Sequence, residues 1–524
     1  MPNGFAYLTL LIWPVVIIIL FKRLPKPSAV IWSLLAGLLL LPNDTSMDLP
    51  LLPSINKTIM PTLATFMMCL AMRPPRRGAV SDPAALHPGW MPGTAIGKIL
   101  AVLFVFGPFL TIVLNGDPIF LHGKVLLPGL SVYDALSSTM GHAIALLPIL
   151  MGRRYLADTE GHDLLLKALF FGGLFYTLPM LLEVRFSPQL HKWIYGFYQH
   201  AFLQTMRDGG FRPMVFLDQG LVVAMFISLS TLSGMALWRA ADRNGRPRLV
   251  LGVLWLAMVL VLCKTVGAIG IVFLLAPLLL LFSARMQMVA ASAMALMILL
   301  YPALRSTNLA PTDLVLSIAR SIDESRGGSF SMRLRNEDML LNRADERPVF
   351  GWGIWGRARV YDEETGADIS VTDGYWVIIL GGFGWIGYIA TFGLLTLPIM
   401  RLTLHGAGKL PLATTGLSVV LTANLLDLIP NSGQTPITWL IAGALLGKAD
   451  LAAAARNGPG AWRRQRAQGE GRRASAPEQM PDPVPPSPSR AKPAGRPASQ
   501  GPAGPNKDRG PVRPPKPKFG GARD

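Results

Sequence analysis

The chain has 524 residues, 51% hydrophobic and only 15% charged, with a mean hydropathy of +0.40. A soluble chain of this length carries more charge, so the composition excludes a soluble globular domain and predicts an all-α, polytopic integral membrane protein. The net charge of +18 is unevenly placed, with 15 Lys and Arg against 5 Asp and Glu in residues 451–524. The basic balance therefore bears on which loops face which side of a membrane, and not on nucleic acid.

Taken in order, apolar segments fall near 7–21, 28–42, 58–72, 97–114, 136–151, 163–182, 214–238, 249–263, 267–283, 286–302, 374–400, 411–427 and 433–447. They predict about thirteen helices, and roughly 10–13 of them as membrane crossings, since several are short. The first run is followed by Lys22, Arg23 and Lys26, the reverse of a signal peptide, and is expected to be retained. Cys69 and Cys263 both lie inside apolar runs without metal-ligand spacing, which suits packing better than a disulfide.

Charge then sets the expected topology. With the uncharged N-terminus outside, alternation gives the inner side Lys22 and Arg23, Arg73 to Arg77, Arg153 and Arg154, Arg239 to Arg248, Arg285, Arg401 and Lys409. The short outer loops at 43–57 and 115–135 hold one lysine each, Lys57 and Lys124. The division is a membrane domain over 1–448 and, over 449–524, a basic Pro/Gly/Ala-rich tail. That tail is expected to be disordered, cytoplasmic and drawn to anionic lipid.

Two outer segments carry arginines against this trend, 183–213 and 303–373. The first is aromatic and basic and suits the membrane interface. The second is the longest interruption of the apolar pattern before the tail. It begins with amphipathic helices expected around 313–323 and 332–345, followed by a Gly- and Trp-rich turn, RPVFGWGIWGR. That turn lacks the Lys-Ser/Thr and the preceding strand of a nucleotide loop. No internal repeat is evident.

The outer arginines are the chemical signal. Arg207 and Arg212 flank Asp208-Gly-Gly-Phe, and Arg333, Arg335 and Arg343 share a helix with Glu337 and Asp338. Lys264 sits in a very short turn between two apolar helices, where a charge is costly unless it has a partner or reaches water. Together they form an outward basic constellation suited to a phosphate or diphosphate. The competing account is a solvated helix face with intrahelical pairs. Asp373, just before a helix expected from about 374, serves either as an N-cap or as a general base. His191 and His200 are nine residues apart with no acidic cluster near them, so no metal and no cofactor is indicated.

The order of these features resembles the O-antigen ligase and polysaccharide polymerase family of bacterial inner membranes. The likeness rests on a short basic turn at Lys264 and a loop helix with Arg333 and Arg335. It also rests on a P-x-x-G-x-G turn from Pro348 to Gly353 and on Thr372-Asp373-Gly374-Tyr375-Trp376 ahead of a Gly-rich helix. Tyr195-Gly196-Phe197 and Arg212-Pro213 resemble the exopolysaccharide-polymerase branch, and the likeness spans about residues 160–430. It implies an inverting, metal-independent glycosyltransferase acting at the periplasmic face on glycans linked to undecaprenyl diphosphate. Asp373, Arg333 and Arg335 are then the catalytic candidates. Lys264, Arg207, Arg212, Arg343, Tyr375 and Trp376 are the substrate-binding ones. The implied partners are the lipid-linked glycan, membrane lipids and other polysaccharide assembly and export proteins.

Ligases of that family characteristically carry His where this chain has Asp373, which favours a polymerase. The rivals are a ligase, a transporter or flippase of lipid-linked sugars, and a non-catalytic subunit of polysaccharide export. Against a transporter stand the lack of a repeat and of clearly charged residues in helix centres.

Overall fold

The computed structural model describes residues 1–48, 53–72, 88–207, 209–307, 309–310, 312–322, 324–404, 406 and 409–456. Every apolar segment carries a helix. The first are α1 (Gly4–Arg23), α2 (Lys26–Leu40), α3 (Ile59–Ala71), α4 (Ala95–Val113), α5 (Val132–Tyr155) and α6 (Thr159–Phe186). The short α7 (Leu190–Tyr195) follows, then α8 (Gly220–Ala240), α9 (Arg246–Leu262), α10 (Val266–Leu281) and α11 (Ala284–Ser306). The amphipathic pair is α12 (Thr312–Ile322) and α13 (Glu324–Asp345), and α14 (Tyr375–Leu404), α15 (Leu412–Asp427) and α16 (Pro436–Arg456) complete the bundle.

Among the described residues, 8 helices are long and apolar enough to cross a membrane. The protein is thus a mostly helical, multi-pass membrane protein. The expected ten to thirteen crossings are reached only by adding shorter apolar helices such as α2, α3, α10 and α15. Helices suit this solvent because they satisfy their own backbone, and exposed ends are closed by side chains. Asn3 accepts from Ala6 N at 3.0 Å, Asp158 from Gly161 N at 2.7 Å, and Ser131 with Asp134 forms a capping box on α5.

The centre of the bundle is α8, whose apolar stretch is 89% buried, against 28% for the peripheral α1. Around it pack α6, α9, α10 and α15, while α14 packs against α4, α11 and α16; α14, α15 and α16 are also buried along most of their length. Cys69 and Cys263 are free thiols buried in this packing. At one end of the bundle Asp450 is clamped by Arg153 at 2.7 Å and Arg401 at 2.6 Å, all three buried. At the other, Asn3 N donates to Tyr195 O at 3.0 Å, so the N-terminus meets the 183–213 segment as alternation requires.

Two small ribbons depart from the all-α expectation. Strands β1 (Ile119–Leu121) and β2 (Lys124–Leu127) pair antiparallel across a tight turn. There His122 and Gly123 take φ of 48° and 75°, which such a turn demands. Strands β3 (Met206–Arg207) and β4 (Gly210–Phe211) form a second ribbon. The Arg73 to Arg77 stretch and the expected disordered tail lie outside the described residues, and α16 continues to Arg456, beyond the expected domain limit at 448.

Candidate functional site

The site lies at the end of the bundle where the chain leaves α11 and α15 and enters α14. Its frame is a junction between two glycine motifs some thirty residues apart. Within α14 the helix is interrupted at Gly384, with φ 63° and ψ −167°, and the Pro348–Gly353 turn docks into the gap. Trp352 N and Gly353 N donate to Gly381 O and Gly382 O at 2.9 and 2.8 Å, and Trp385 N donates to Pro348 O at 2.8 Å. The backbones touch so closely that a Cβ on Gly351 would come within 2.6 Å of Gly382 and Gly384. Glycine is required there for space as well as for its positive φ.

Side chains lock the same turn from the other flank. Arg357, fully buried, donates to Trp352 O at 3.3 Å, Pro128 O at 2.9 Å and Asp117 O at 2.8 Å. Arg347 meets Asp117 at 2.9 Å and also donates to Asn115, whose own amide reaches Gly351 O at 3.0 Å. The Arg347 hydrogen bond holds the Asp117 carboxyl below the usual carboxylate range. Trp352 is stacked under the guanidinium groups of Arg343 and Arg347, at 3.4 and 4.2 Å from its ring centre. Arg343 also pairs with Glu346 at 2.6 Å. This candidate binding residue is therefore part of the frame, not of the cavity it surrounds.

Arg333 sits over that cavity. Its Nε lies 3.4 Å from Asp373 Oδ2, with both side chains partly open to solvent, and its other end donates to Pro430 O at 3.3 Å and Asn431 Oδ1 at 3.4 Å. Asn431 is held in turn by Asp427 at 2.7 Å. The N–H of Tyr375, which opens α14, is taken by Leu428 O and Asn431 O, both at 3.1 Å. Asp373 therefore turns its carboxylate to Arg333, and backbone carbonyls close the helix start in its place. The arrangement presents a guanidinium and a carboxylate side by side at a protein surface.

Beneath them opens a cavity of about 360 Å³ between α11, α13 and the end of α15. Met297, Ile298, Leu304, Phe330, Leu426 and Ile429 make it apolar, and Arg333, Glu337 and Tyr301 are its polar margin. Glu337 is one turn along α13 from Arg333, but it is buried and its partners are on α11. Tyr301 OH donates to it at 3.4 Å and Arg305 Nε lies 3.8 Å away. The Trp376 indole N–H faces it without closing a well-aligned hydrogen bond. Arg305 is drawn off by Asp338 at 2.6 Å, so burial prevails and pushes the Glu337 carboxyl up to about 7.

That shift has a definite sign. Below the ordinary carboxyl value of 4.5 both folded and unfolded chains carry the proton. Above it the unfolded chain ionises first, so stability falls as pH rises through about 7. Glu337→Gln should remove a loss on the order of 3 kcal/mol at mildly alkaline pH. Thermal melts of the purified protein in detergent check this, with a wild-type midpoint that drops between about pH 5 and pH 8 and a variant midpoint that does not. An equal drop in both would place the titrating group elsewhere.

Of the remaining candidates, Lys264, Arg212 and Arg207 fall apart from this centre. Lys264, with φ of 52°, lies with Nζ over Gly210 of the β3–β4 ribbon, and its carbonyl accepts from Arg212, which is buried, at 3.1 Å. Arg207 belongs to that ribbon, its backbone paired with Gly210. Arg335 is exposed, two residues on from Arg333 and hence on another face of α13. Trp376 is fully buried, edge-on to Tyr301 at 5.0 Å. The solvated-face account of α13 holds for Arg335 but not for Glu337. His191 is fixed between Asn43 N at 3.2 Å and Phe197 O at 2.8 Å, within the loop packing.

Sequence reasoning missed Asn431, Asp427, Asn115, Arg347 and Arg357 as parts of the site. Only Arg347 and Arg357 carried a signal, as charges bounding a glycine-rich turn. No known protein family matches this chain, and no curated protein sequence matches it either.

Proposed function

We propose that the protein is a membrane glycosyltransferase that polymerises oligosaccharide repeats carried on undecaprenyl diphosphate. The observation that carries this is Arg333, paired with Asp373, in the lining of an apolar cavity. An isoprenoid diphosphate needs that combination, with apolar walls for the first isoprene units and a fixed cation at head-group level. Arg153 and Arg401 lie at the opposite end of the bundle, and the positive-inside rule supports a reading in which the site faces outside.

In the reaction, an acceptor hydroxyl attacks the anomeric carbon opposite the diphosphate. A new C–O bond forms, the bond to the diphosphate oxygen breaks, and the lipid diphosphate leaves with the electron pair. Arg333 stabilises the charge that develops on it. As the guanidinium turns to phosphate, Asp373 is released to accept the hydroxyl proton.

The test is complementation of a strain lacking this gene, scoring surface polymer length with wild type, Asp373→Asn and Arg333→Gln at equal membrane levels. Loss of long polymer with single repeats accumulating is the expected result. Polymer of normal length stranded on its lipid carrier would replace polymerase by ligase. Unchanged polymer in both variants would remove the site from the reaction.

A further inference from the structure

A second cavity, of about 500 Å³, opens on the other side of the α14 start, between α4, α5, the glycine turn and α16. It shares the segment around Asn431 with the first cavity through Tyr375 and Gln434, but its chemistry is different. Among the described residues that line it, none is charged. Four aromatic rings face it, Phe104, Trp355, Tyr375 and Trp439, interleaved with the neutral polar groups of Ser137, Ser138, His142 and Gln434.

Three of these groups have geometry that bears on what the cavity can hold. Trp355 is 70% exposed, yet it is fixed in the left-handed region at φ 61°, with its indole N–H donating to Asp134 Oδ1 at 3.0 Å. A bulky residue in that region is strained, and strain of this kind collects at functional surfaces. Trp439 is buried, and its indole N–H has no acceptor among the described residues. The third group is His142, whose Nδ1 faces Ser138 O at 2.9 Å. A carbonyl only accepts, so Nδ1 carries the hydrogen and Nε2 is left as an acceptor.

Rigid aromatic faces with interspersed neutral donors and acceptors match the two surfaces of a sugar ring. Its C–H faces pack on the electron-rich ring faces, and its hydroxyls take hydroxyl, imidazole and amide partners. A phosphate or an anionic sugar would find no countercharge here. We infer that this second cavity is a binding site for a neutral sugar residue of a glycan. The binding claim stands apart from the transfer reaction. Its role as the acceptor subsite, delivering a hydroxyl past Tyr375 toward Asp373, rests on the function proposed above.

The experiment uses the full-length protein in lipid nanodiscs and a panel of uncharged gluco-, manno- and galacto-configured trisaccharides, without lipid or diphosphate. Binding is followed by tryptophan fluorescence and saturation-transfer NMR. At least one trisaccharide should bind saturably to wild type, and inorganic diphosphate should not displace it. Trp355→Ala removes an exposed side chain and should weaken binding about tenfold or more. Gly141→Leu adds a side chain where a Cβ meets nothing within 4 Å. It should fill the cavity and abolish binding while α5 stays helical.

Absence of binding across the panel, displacement by diphosphate, or equal affinity in Trp355→Ala would each overturn the sugar site. The outcomes separate the two proposals. Lost polymer in Asp373→Asn without trisaccharide binding leaves the transfer reaction and removes this site. Trisaccharide binding with unchanged polymer in Asp373→Asn does the reverse.

Discussion

For the proposed transfer reaction, Arg333→Gln is expected to lower the rate by about 10²–10³-fold, the cost of removing one donor that stabilises charge in the transition state, roughly 2.7–4 kcal/mol. Arg333 is partly exposed, and its partners Asp373, Pro430 and Asn431 lie at the surface of the bundle. Its loss should therefore change the melting temperature little, and the effect belongs to chemistry. The measurement is single-turnover transfer in nanodiscs with a defined lipid-linked repeat. Arg333→Lys restores the charge but not the fork that reaches Asp373 and Asn431 together, so it should recover only part of the rate. Arg335→Gln decides between the two arginines of the same helix. It should cost far less, because Arg335 is exposed on another face of α13. A larger loss at Arg335 than at Arg333 would reverse the assignment, and equal small losses would remove both from the leaving-group site.

What was legible in the sequence follows from how local each signal is. Apolar runs gave the helices because a membrane segment is specified by composition over its own length, and α14 begins at Tyr375, where the apolar sequence resumes. The amphipathic pair was equally local, and α13 differs only in starting earlier, at Glu324. The Pro348–Gly353 turn and the glycines of α14 were each visible. That they clasp one another was not, because no residue in either motif encodes its partner's position. The β1–β2 ribbon escaped notice because its turn is His122-Gly123, not one of the strong hairpin pairs. The arginines show the limit most clearly. Arg333, Arg343 and Arg357 are indistinguishable by type and lie within one loop. One faces a cavity mouth, one stacks on Trp352 and one is buried against carbonyls. Glu337 looked like the partner of an arginine one turn away, and only the approach of α11 and Trp376 makes it a buried acid.

Arg357→Met should be the most damaging single change to the fold of the 303–373 segment. The guanidinium is fully buried and bridges three carbonyls from three places, Trp352 in the glycine turn, Pro128 after β2 and Asp117 before β1. Methionine fills much of the volume but satisfies none of them, and each stranded buried acceptor costs about 1–3 kcal/mol. Partial relaxation and water entry bring the expected loss to about 3–5 kcal/mol, as for a buried charge network that loses one member. The membrane helices do not depend on this contact, so the loss should be local. Backbone hydrogen exchange should rise across 348–360 and 117–128 while α8 and α15 stay protected, and limited proteolysis should cut the 303–373 segment first. Arg343→Met is the matched comparison. Its guanidinium stacks on one face of Trp352 while Arg347 covers the same ring, so its removal leaves a cation in place and should cost far less. If Arg357→Met kept native exchange in both stretches, the turn would be held by the glycine clasp of α14 alone. The buried arginine would then be dispensable to the fold.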